Sequence, residues 1–167
     1  AVYLDEAMAA GADGWGICGV SLRSPATRDA LAPQEGYYAL AELDGGAPRA
    51  RIVGSLRELL VAPENPERVI ERIAAPGIRW VTLTITEKGY CLEPGHPDLA
   101  QDRREPSQPR SAVGLLHAAA VRRRDRGLPG ISVVSCDNLS GNGDTLRRLL
   151  REHDRAIGAG AAGWIEA

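Results

Sequence analysis

Residues 130–143 read GISVVSCDNLSGNG and combine an apolar strand with a polar turn in one short stretch. The first half is short and β-branched and follows Pro129-Gly130, a pattern typical of a buried strand. The second half is rich in Asp, Asn, Ser and Gly, and a helical pattern begins after it. In open α/β sheets, ligands bind outside the carboxyl ends of the strands. The polar side chains of this turn are therefore candidates for contact with a substrate or cofactor.

Asn138 is the residue of this turn with the most direct chemical use. Its neutral amide suits the stabilisation of negative charge that develops on a carbonyl or alcohol oxygen. The structural alternative is that Asp137 and Asn138 only cap the following helix and shape its turn. The spacing alone leaves both interpretations open.

Strands and helices alternate along the rest of the chain, which predicts an α/β fold with a mostly parallel sheet and helices on both faces. The predicted strands are residues 15–22, 79–86 and 131–136, together with an antiparallel hairpin of residues 37–43 and 50–56 around the turn Asp44-Gly45-Gly46. The predicted helices are residues 1–10, 66–74, 111–126 and 144–156, with single helical turns at 28–31 and 57–60. Residues 91–109 are predicted to form a long loop.

The composition is that of a soluble protein of one domain: 167 residues, 44% apolar and 25% charged. There is no Phe, so the core is expected to rest on Val, Leu, Ile and Ala. A net charge of -2 gives no field suited to nucleic acid or to an anionic membrane. Residues 122–126, RRRDR, are predicted to be the solvated end of a helix and not a nucleic-acid patch. With no membrane span or signal peptide visible, a cytoplasmic location is the default expectation.

The cysteines and histidines predict neither a disulfide framework nor a metal site. Cys18, Cys91 and Cys136 are odd in number and widely spaced, and the three histidines do not cluster at ligand spacing. Cys18 and Cys136 lie in apolar strand patterns, where buried free thiols are expected. A cysteine hydrolase that uses Cys136 is a weak alternative function, because no histidine partner is placed beside it.

Two segments go beyond a generic α/β pattern. Residues 82–90 (TLTITEKGY) and 135–143 (SCDNLSGNG) closely resemble the mannitol dehydrogenase family, the long-chain polyol dehydrogenases that include fructuronate and tagaturonate reductases. Supporting similarity lies in residues 1–5 (AVYLD), 15–20 (WGICGV) and 53–55 (VGS), and in the spacing Pro109-x-Ser111-x-x-Gly114. The similarity runs through essentially the whole chain in register, and the Cys-Asp-Asn motif is specific.

The resemblance implies that residues 1–167 are part of a nicotinamide-binding Rossmann domain, whose helical substrate domain is absent from this chain. Members move a hydride between NAD or NADP and a sugar alcohol or ketose, or a hexuronate, without needing a metal. Fructose/mannitol is the first expected substrate pair and fructuronate/mannonate the second. A lysine of the helical domain acts as acid/base; Lys88 is not its counterpart, because it belongs to the strand-exit motif. By the same resemblance, Asn138 helps to hold the reacting oxygen. Asp137 and Asn142 match the motif too, and we assign them turn-forming roles. The predicted cofactor-binding residues are Arg23, Ser24, Thr86 and Glu87.

The residues after the predicted strand 15–22 bear on the choice of cofactor. Relatives that prefer NAD carry acidic residues there, whereas this chain has Arg23-Ser24-Pro25-Ala26. A carboxylate would bind the ribose 2′-hydroxyl, and an arginine accommodates a 2′-phosphate. The hypothesis is that the parent enzyme accepts NADP at least as well as NAD; the alternative is that Asp29 or another group holds the ribose.

The family's glycine-rich phosphate loop and first strand have no counterpart in this chain, and we expect the chain to be a segment of a longer protein. In the strand order 3-2-1-4-5-6, the first strand would lie between the strands at 15–22 and 79–86. The segment alone is therefore expected to bind dinucleotide poorly, to be inactive and to aggregate. The alternative from another functional class is a catalytically inactive Rossmann-like binding or interaction module.

Overall fold

A computed structural model describes residues 1–43, 45, 49–93 and 95–165 of the chain. The described residues form two compact units, residues 1–62 and 63–167. Within these described residues, six strands pair into three two-stranded sheets, two of them parallel and one antiparallel. No helix within the described ranges is long and apolar enough to cross a membrane.

The described residues of the first unit form a parallel strand pair, a hairpin, two α-helices and a 3-10 helix. Strand β1 (Ile17–Ser21) pairs in parallel with β4 (Leu56–Val61), and β2 (Tyr38–Glu42) pairs antiparallel with β3 (Arg49–Val53). Helix α1 is Val2–Ala9, helix α2 is Ala26–Leu31, and a 3-10 helix follows at Ala32–Gln34. These elements confirm the predicted first helix, first strand and hairpin. Of the predicted hairpin turn, Asp44 and Gly46 lie outside the described residues.

The helical turn predicted for residues 57–60 is wrong, because these residues belong to strand β4. Pairing with β1 gives the backbone of this segment a hydrogen-bonded partner, with Leu59 opposite Gly19 and Val61 opposite Ser21. The strand also buries its apolar end, and Val61 is 5% exposed. Tertiary pairing thus outweighs the local helical preference of an Arg-Glu-Leu-Leu sequence.

The break between β3 and β4 is held by helix α1. The Asp5 carboxylate accepts a hydrogen bond from the Gly54 amide at 2.7 Å, and the Ser55 hydroxyl donates to the Ala1 carbonyl at 2.9 Å. Ser55 is fully buried, so these bonds satisfy polar groups that would otherwise be costly to bury. Val53 therefore ends β3, and Gly54 and Ser55 bind helix α1 immediately before β4 begins.

The second unit contains the other parallel pair and five helices among its described residues. Strand β5 (Trp80–Leu83) pairs with β6 (Ser132–Ser135), with Leu83 opposite Ser135. The helices are α3 (Pro66–Ala74), α4 (Pro97–Arg104), α5 (Ala112–Asp125), α6 (Asn142–Ile157) and α7 (Ala162–Ile165). Helix α5 packs against both α3 and α6. The side chains of Asn65 and Ser111 cap α3 and α5 by accepting backbone N–H bonds from Arg68 and Gly114, at 2.9 Å each.

The core of the second unit rests mainly on aliphatic side chains, as the composition predicts. The residues less than 9% exposed include Val69 and Ile70 of α3, Val113, Leu115 and Leu116 of α5, and Leu146, Leu149 and Leu150 of α6. Tyr90 and Cys91 also belong to this core, at 0% and 2% exposed.

The prediction of a long loop at 91–109 is wrong in part, because helix α4 occupies its centre. Asp102 of α4 is buried and accepts hydrogen bonds from the backbone amides of Arg110 (2.7 Å) and Ser111 (3.1 Å) and from the Ser111 hydroxyl (2.5 Å). A methyl group added to Gly114 would lie 2.3 Å from the Asp102 carboxylate, so only glycine allows this approach. The spacing Pro109-x-Ser111-x-x-Gly114 therefore encodes the anchoring of α4 to the start of α5.

The basic run at 122–126 is not simply a solvated helix end. Arg123 is 1% exposed, which contradicts that prediction for this residue. Arg122 and Arg126 form ion pairs with Glu71 of α3, at 2.6 and 2.7 Å. These hydrogen bonds, from Arg126 above all, lower the pKa of Glu71 and keep the carboxylate charged. Arginines of this run therefore hold the end of α5 against α3 through ion pairs and hydrogen bonds.

Candidate functional site at the strand exits

Asn138 lies in the bend that follows β6, three residues beyond Ser135, the last residue of the strand. Because β5 and β6 run in parallel, the carboxyl end of β5 is at the same edge of the sheet. The Asn138 side chain is exposed there. It makes no hydrogen bond to another residue within the part of the chain that the structure describes. Its amide is therefore available to donate to a bound molecule.

The turn around Asn138 is fixed by its neighbours. Asn142 Nδ2 donates to the carbonyl oxygens of Ser135 and Asp137 at 3.3 Å each and to Asp137 Oδ1 at 3.2 Å. Asp137 Oδ1 also accepts the Leu139 amide at 3.3 Å. The predicted turn-forming roles of Asp137 and Asn142 are confirmed by these bonds.

The structural alternative for Asp137 and Asn138 is wrong about capping, since neither residue caps the following helix, but Asp137 does shape the turn as that alternative stated. Helix α6 begins at Asn142, and its N-cap residue is Gly141, which makes no side-chain cap. Gly141 has φ 63°, a left-handed conformation that glycine adopts readily. The chain thus enters α6 through Gly141, and Asn138 has no capping role.

A buried tyrosine joins the exit of β5 to this turn. A 3-10 helix, Glu87–Tyr90, follows β5, and the Tyr90 hydroxyl donates a hydrogen bond to Asp137 Oδ2. Burial raises the pKa of Tyr90, and the Asp137 carboxylate raises it further; the same hydrogen bond lowers the pKa of Asp137. At neutral pH the pair is therefore a protonated phenol and an ionised carboxylate, a charge-assisted hydrogen bond. Sequence reasoning identified both motifs and gave no signal that they contact each other.

Thr86 and Glu87 lie at the same edge, beyond the end of β5. Thr86 is the extended residue that precedes the 3-10 helix, and both side chains are exposed. Gly89 lets the 3-10 helix approach the strand exit, because a Cβ there would lie 2.8 Å from Ile85 Cβ. A cofactor-binding role for Thr86 and Glu87 stays a prediction.

Arg23 and Ser24 belong to the first unit and lie in the loop between β1 and α2, at the carboxyl end of β1. Both are exposed, and Ser24 Oγ accepts the Ala26 amide at 3.2 Å, which helps to begin α2. The alternative ribose ligand, Asp29, accepts hydrogen bonds from Arg28 at 2.9 and 2.8 Å through one carboxylate oxygen. Arg23 is thus exposed where the resemblance places the cofactor's 2′ group, and its role stays a prediction.

Several side chains come together in ways that spacing did not indicate. His117 and His153 contact each other with ring centroids 5.1 Å apart, and His117 Nε2 lies 2.9 Å from Asp154 Oδ1. Cys91, His96 and Asp98 place ligand atoms within 4.8 Å of one another, so they are the described residues nearest to a metal-ligand set. His96 Nδ1 in this group accepts the Asp98 amide at 3.2 Å.

The cysteine predictions need correction. Cys136 is exposed and Cys18 partly exposed, so neither is the buried thiol that was expected. Cys136 follows the last residue of β6, and alternate side chains of this strand, Ser132 and Val134, are exposed as well. Exposure of Cys136 thus follows from the two-residue period of a strand.

Comparison with known proteins accounts for this arrangement. A family model described as the mannitol dehydrogenase Rossmann domain matches residues 2–167. The chain belongs to the mannitol dehydrogenase family. The predicted family and the Rossmann-like α/β fold are therefore confirmed.

Individual members of the mannitol dehydrogenase family are similar over nearly the whole chain. Mannitol 2-dehydrogenase of Pyricularia oryzae is 38% identical over 99% of this chain and 35% of its own length. The protein of the same name from Cereibacter sphaeroides is 38% identical, over 100% of this chain and 37% of its own length. The chain thus spans little more than a third of the curated relatives that it matches.

Solved structures of two relatives have the same fold. A ternary complex of Pseudomonas fluorescens mannitol 2-dehydrogenase with NAD and D-mannitol superposes with a TM-score of 0.87, at 36% identity, over 98% of this chain and 36% of that one. A substrate-free D-sorbitol dehydrogenase gives a TM-score of 0.85 at 31% identity.

Proposed function

We propose that the complete protein is an NAD(P)-dependent oxidoreductase that transfers a hydride between a nicotinamide cofactor and a sugar alcohol or the matching ketose. Residues 1–167 are then part of its dinucleotide-binding domain. The helical domain that holds the substrate, and the lysine that acts as acid/base, lie elsewhere in the protein.

The observation that carries this proposal is the position of Asn138. Its amide is exposed in the bend after β6, at the edge where β5 also ends, and the turn that presents it is fixed by Asp137 and Asn142. When a hydride reaches a ketone carbon, negative charge develops on the carbonyl oxygen. A preorganised neutral donor at that oxygen stabilises the charge without prior reorganisation. The role of Asn138 is to donate this hydrogen bond.

Small, uncharged polyols are the favoured substrates. Support comes from the P. fluorescens relative, whose complex contains NAD and D-mannitol, and from the relatives named mannitol 2-dehydrogenase. We therefore place mannitol/fructose first and fructuronate/mannonate second.

A substrate comparison tests the proposal. The complete protein is assayed for oxidation of NADH and NADPH with fructose and with fructuronate in parallel. We expect turnover with fructose, and a kcat/KM for fructose above that for fructuronate. A higher kcat/KM for fructuronate would support the proposed hydride transfer but would show that the substrate is a hexuronate and not a polyol or ketose. Cofactor binding without turnover on either compound would favour the catalytically inactive binding module.

Arg23 gives a separate prediction about the cofactor. If its guanidinium accommodates the 2′-phosphate, Arg23→Ala raises the KM for NADPH about tenfold or more and leaves the KM for NADH within about twofold. Arg148→Ala is the matched control, because Arg148 is an exposed arginine of α6 that pairs with Glu152 on the same helix. Equal effects of Arg23→Ala on both cofactors, or a strong preference of the unmodified protein for NADH, would contradict the role of Arg23.

A further inference from the structure

The two most specific motifs of the sequence are joined by one side chain. Tyr90 comes from TLTITEKGY, the exit of β5, and Asp137 from SCDNLSGNG, the exit of β6. Forty-seven positions separate them along the chain, and the Tyr90 hydroxyl binds the Asp137 carboxylate directly. Tyr90 is fully buried, so the ring is enclosed by the protein and only its hydroxyl reaches the turn.

The Asp137 carboxylate has a different partner on each oxygen. Oδ2 accepts the Tyr90 hydroxyl, whereas Oδ1 accepts Asn142 Nδ2 at 3.2 Å and the Leu139 amide at 3.3 Å. These bonds fix the two neighbours of Asn138 in the chain, Asp137 and Leu139. Rotation of the bend would break at least one of the bonds. The direction of the exposed Asn138 amide thus depends on the position of Asp137.

We propose that Tyr90 is a positioning residue for hydride transfer, which acts through Asp137 to hold the Asn138 amide at the reacting oxygen. The inference rests on the proposed function of Asn138. In this role Tyr90 supports hydride transfer itself and is not needed for binding of the cofactor. Tyr90 itself, being buried, does not touch the substrate.

The bond is suited to this role. Its donor is a phenol and its acceptor a carboxylate, and both groups keep these protonation states around neutral pH, because the pKa of Tyr90 is raised and that of Asp137 is lowered. Charge-assisted hydrogen bonds of this kind are shorter and stronger than neutral ones. Displacement of a reacting group by about 1 Å can reduce a rate on the order of 100-fold, so loss of the bond should appear in kcat.

A double-mutant cycle in the complete protein tests the proposal. Tyr90→Phe removes only the hydroxyl, and we expect kcat to fall about tenfold while the KM for the cofactor stays within about twofold. Asn138→Ala should lower kcat roughly 100-fold or more. If Tyr90 acts through Asn138, the double variant has the kcat of Asn138→Ala alone, because there is no amide left to position.

The controls separate positioning from folding. Tyr3→Phe is the matched control, since Tyr3 is 87% exposed, and it should leave kcat unchanged. Asp137→Asn keeps the size of the side chain and removes its charge, so it should reproduce the loss seen with Tyr90→Phe even if the latter folds poorly. Thermal unfolding of each variant identifies a general loss of structure.

The possible outcomes distinguish the two proposals. Additive losses in the double variant, or a Tyr90→Phe enzyme with unchanged kcat beside an impaired Asn138→Ala enzyme, would overturn only the positioning role. An Asn138→Ala enzyme with full kcat would overturn the proposed function of Asn138, and the role of Tyr90 with it. Non-additive losses in kcat, with cofactor KM preserved, would support both.

Discussion

At the scale of single residues, Arg123 shows what a charged side chain can do inside this fold. Its guanidinium donates to the carbonyl oxygens of Ile73 (3.4 Å), Ala75 (2.8 Å) and Pro129 (2.8 and 3.0 Å). The last carbonyls of a helix have no partner within the helix, and Arg123 supplies one at the end of α3. Burial lowers the pKa of Arg123, yet a guanidinium remains charged in proteins. Arg123 therefore satisfies a carbonyl at the end of α3 and links that end to Pro129, which precedes β6.

His153 provides a stability prediction at the same scale. It is 2% exposed, and burial lowers its pKa to about 4; electrostatic interactions with His117 and Arg103 lower this pKa further, and the interaction with Asp154 opposes them. The folded protein thus keeps His153 neutral, whereas the unfolded chain binds a proton near pH 6.5. The contribution of neutral His153 to the free energy of unfolding is fully present above pH 6.5. It falls as the pH drops towards about 4, by up to roughly 1.4 kcal/mol per pH unit.

The measurement is chemical denaturation of the complete protein and of His153→Gln between pH 7 and pH 4. We expect the free energy of unfolding to fall less steeply with decreasing pH in the variant, because glutamine does not titrate. The carboxylates remote from residue 153 are present in both proteins and largely cancel in the difference. Parallel slopes in the two proteins would show that His153 is not the group responsible.

At the scale of elements, the sequence predicts best where local signals and packing agree. Helix α3 begins where Asn65 and Pro66 predict, and α5 where Ser111 predicts, because a cap is a local interaction. Strand β4 was predicted wrongly, since its backbone partner, β1, is about forty residues earlier in the chain. Helix α4 was missed because Pro and charge dominate its surroundings, and the buried Asp102 that anchors it has no local signature.

The candidate site follows the same division. The motif that contains Asn138 predicted its place after β6 and the turn-forming bonds of Asp137 and Asn142, all of which lie within a few residues. The bond from Tyr90 could not be predicted, because it depends on β5 and β6 being neighbours. The grouping of Cys91, His96 and Asp98 likewise depends on how the chain folds back into α4.

At the scale of the whole molecule, the described residues provide elements of a site and not all of its chemistry. The chain covers 36% of the P. fluorescens mannitol 2-dehydrogenase structure. In our proposal the other parts of the protein add the phosphate loop, the substrate-binding groups and the acid/base lysine. In the same proposal, the parallel pair β5–β6 contributes the edge at which Asn138 donates to the reacting oxygen.

Isotope transfer tests this central claim most directly. The complete protein is incubated with fructose and NADH that carries deuterium at C4 of the nicotinamide, with each of the two C4 positions labelled in turn. Direct hydride transfer predicts that one of the two labelled cofactors gives mannitol with a single deuterium on the carbon that was the ketone. Formation of mannitol without deuterium from both cofactors, or oxidation of NADH with no reduced sugar, would contradict the account.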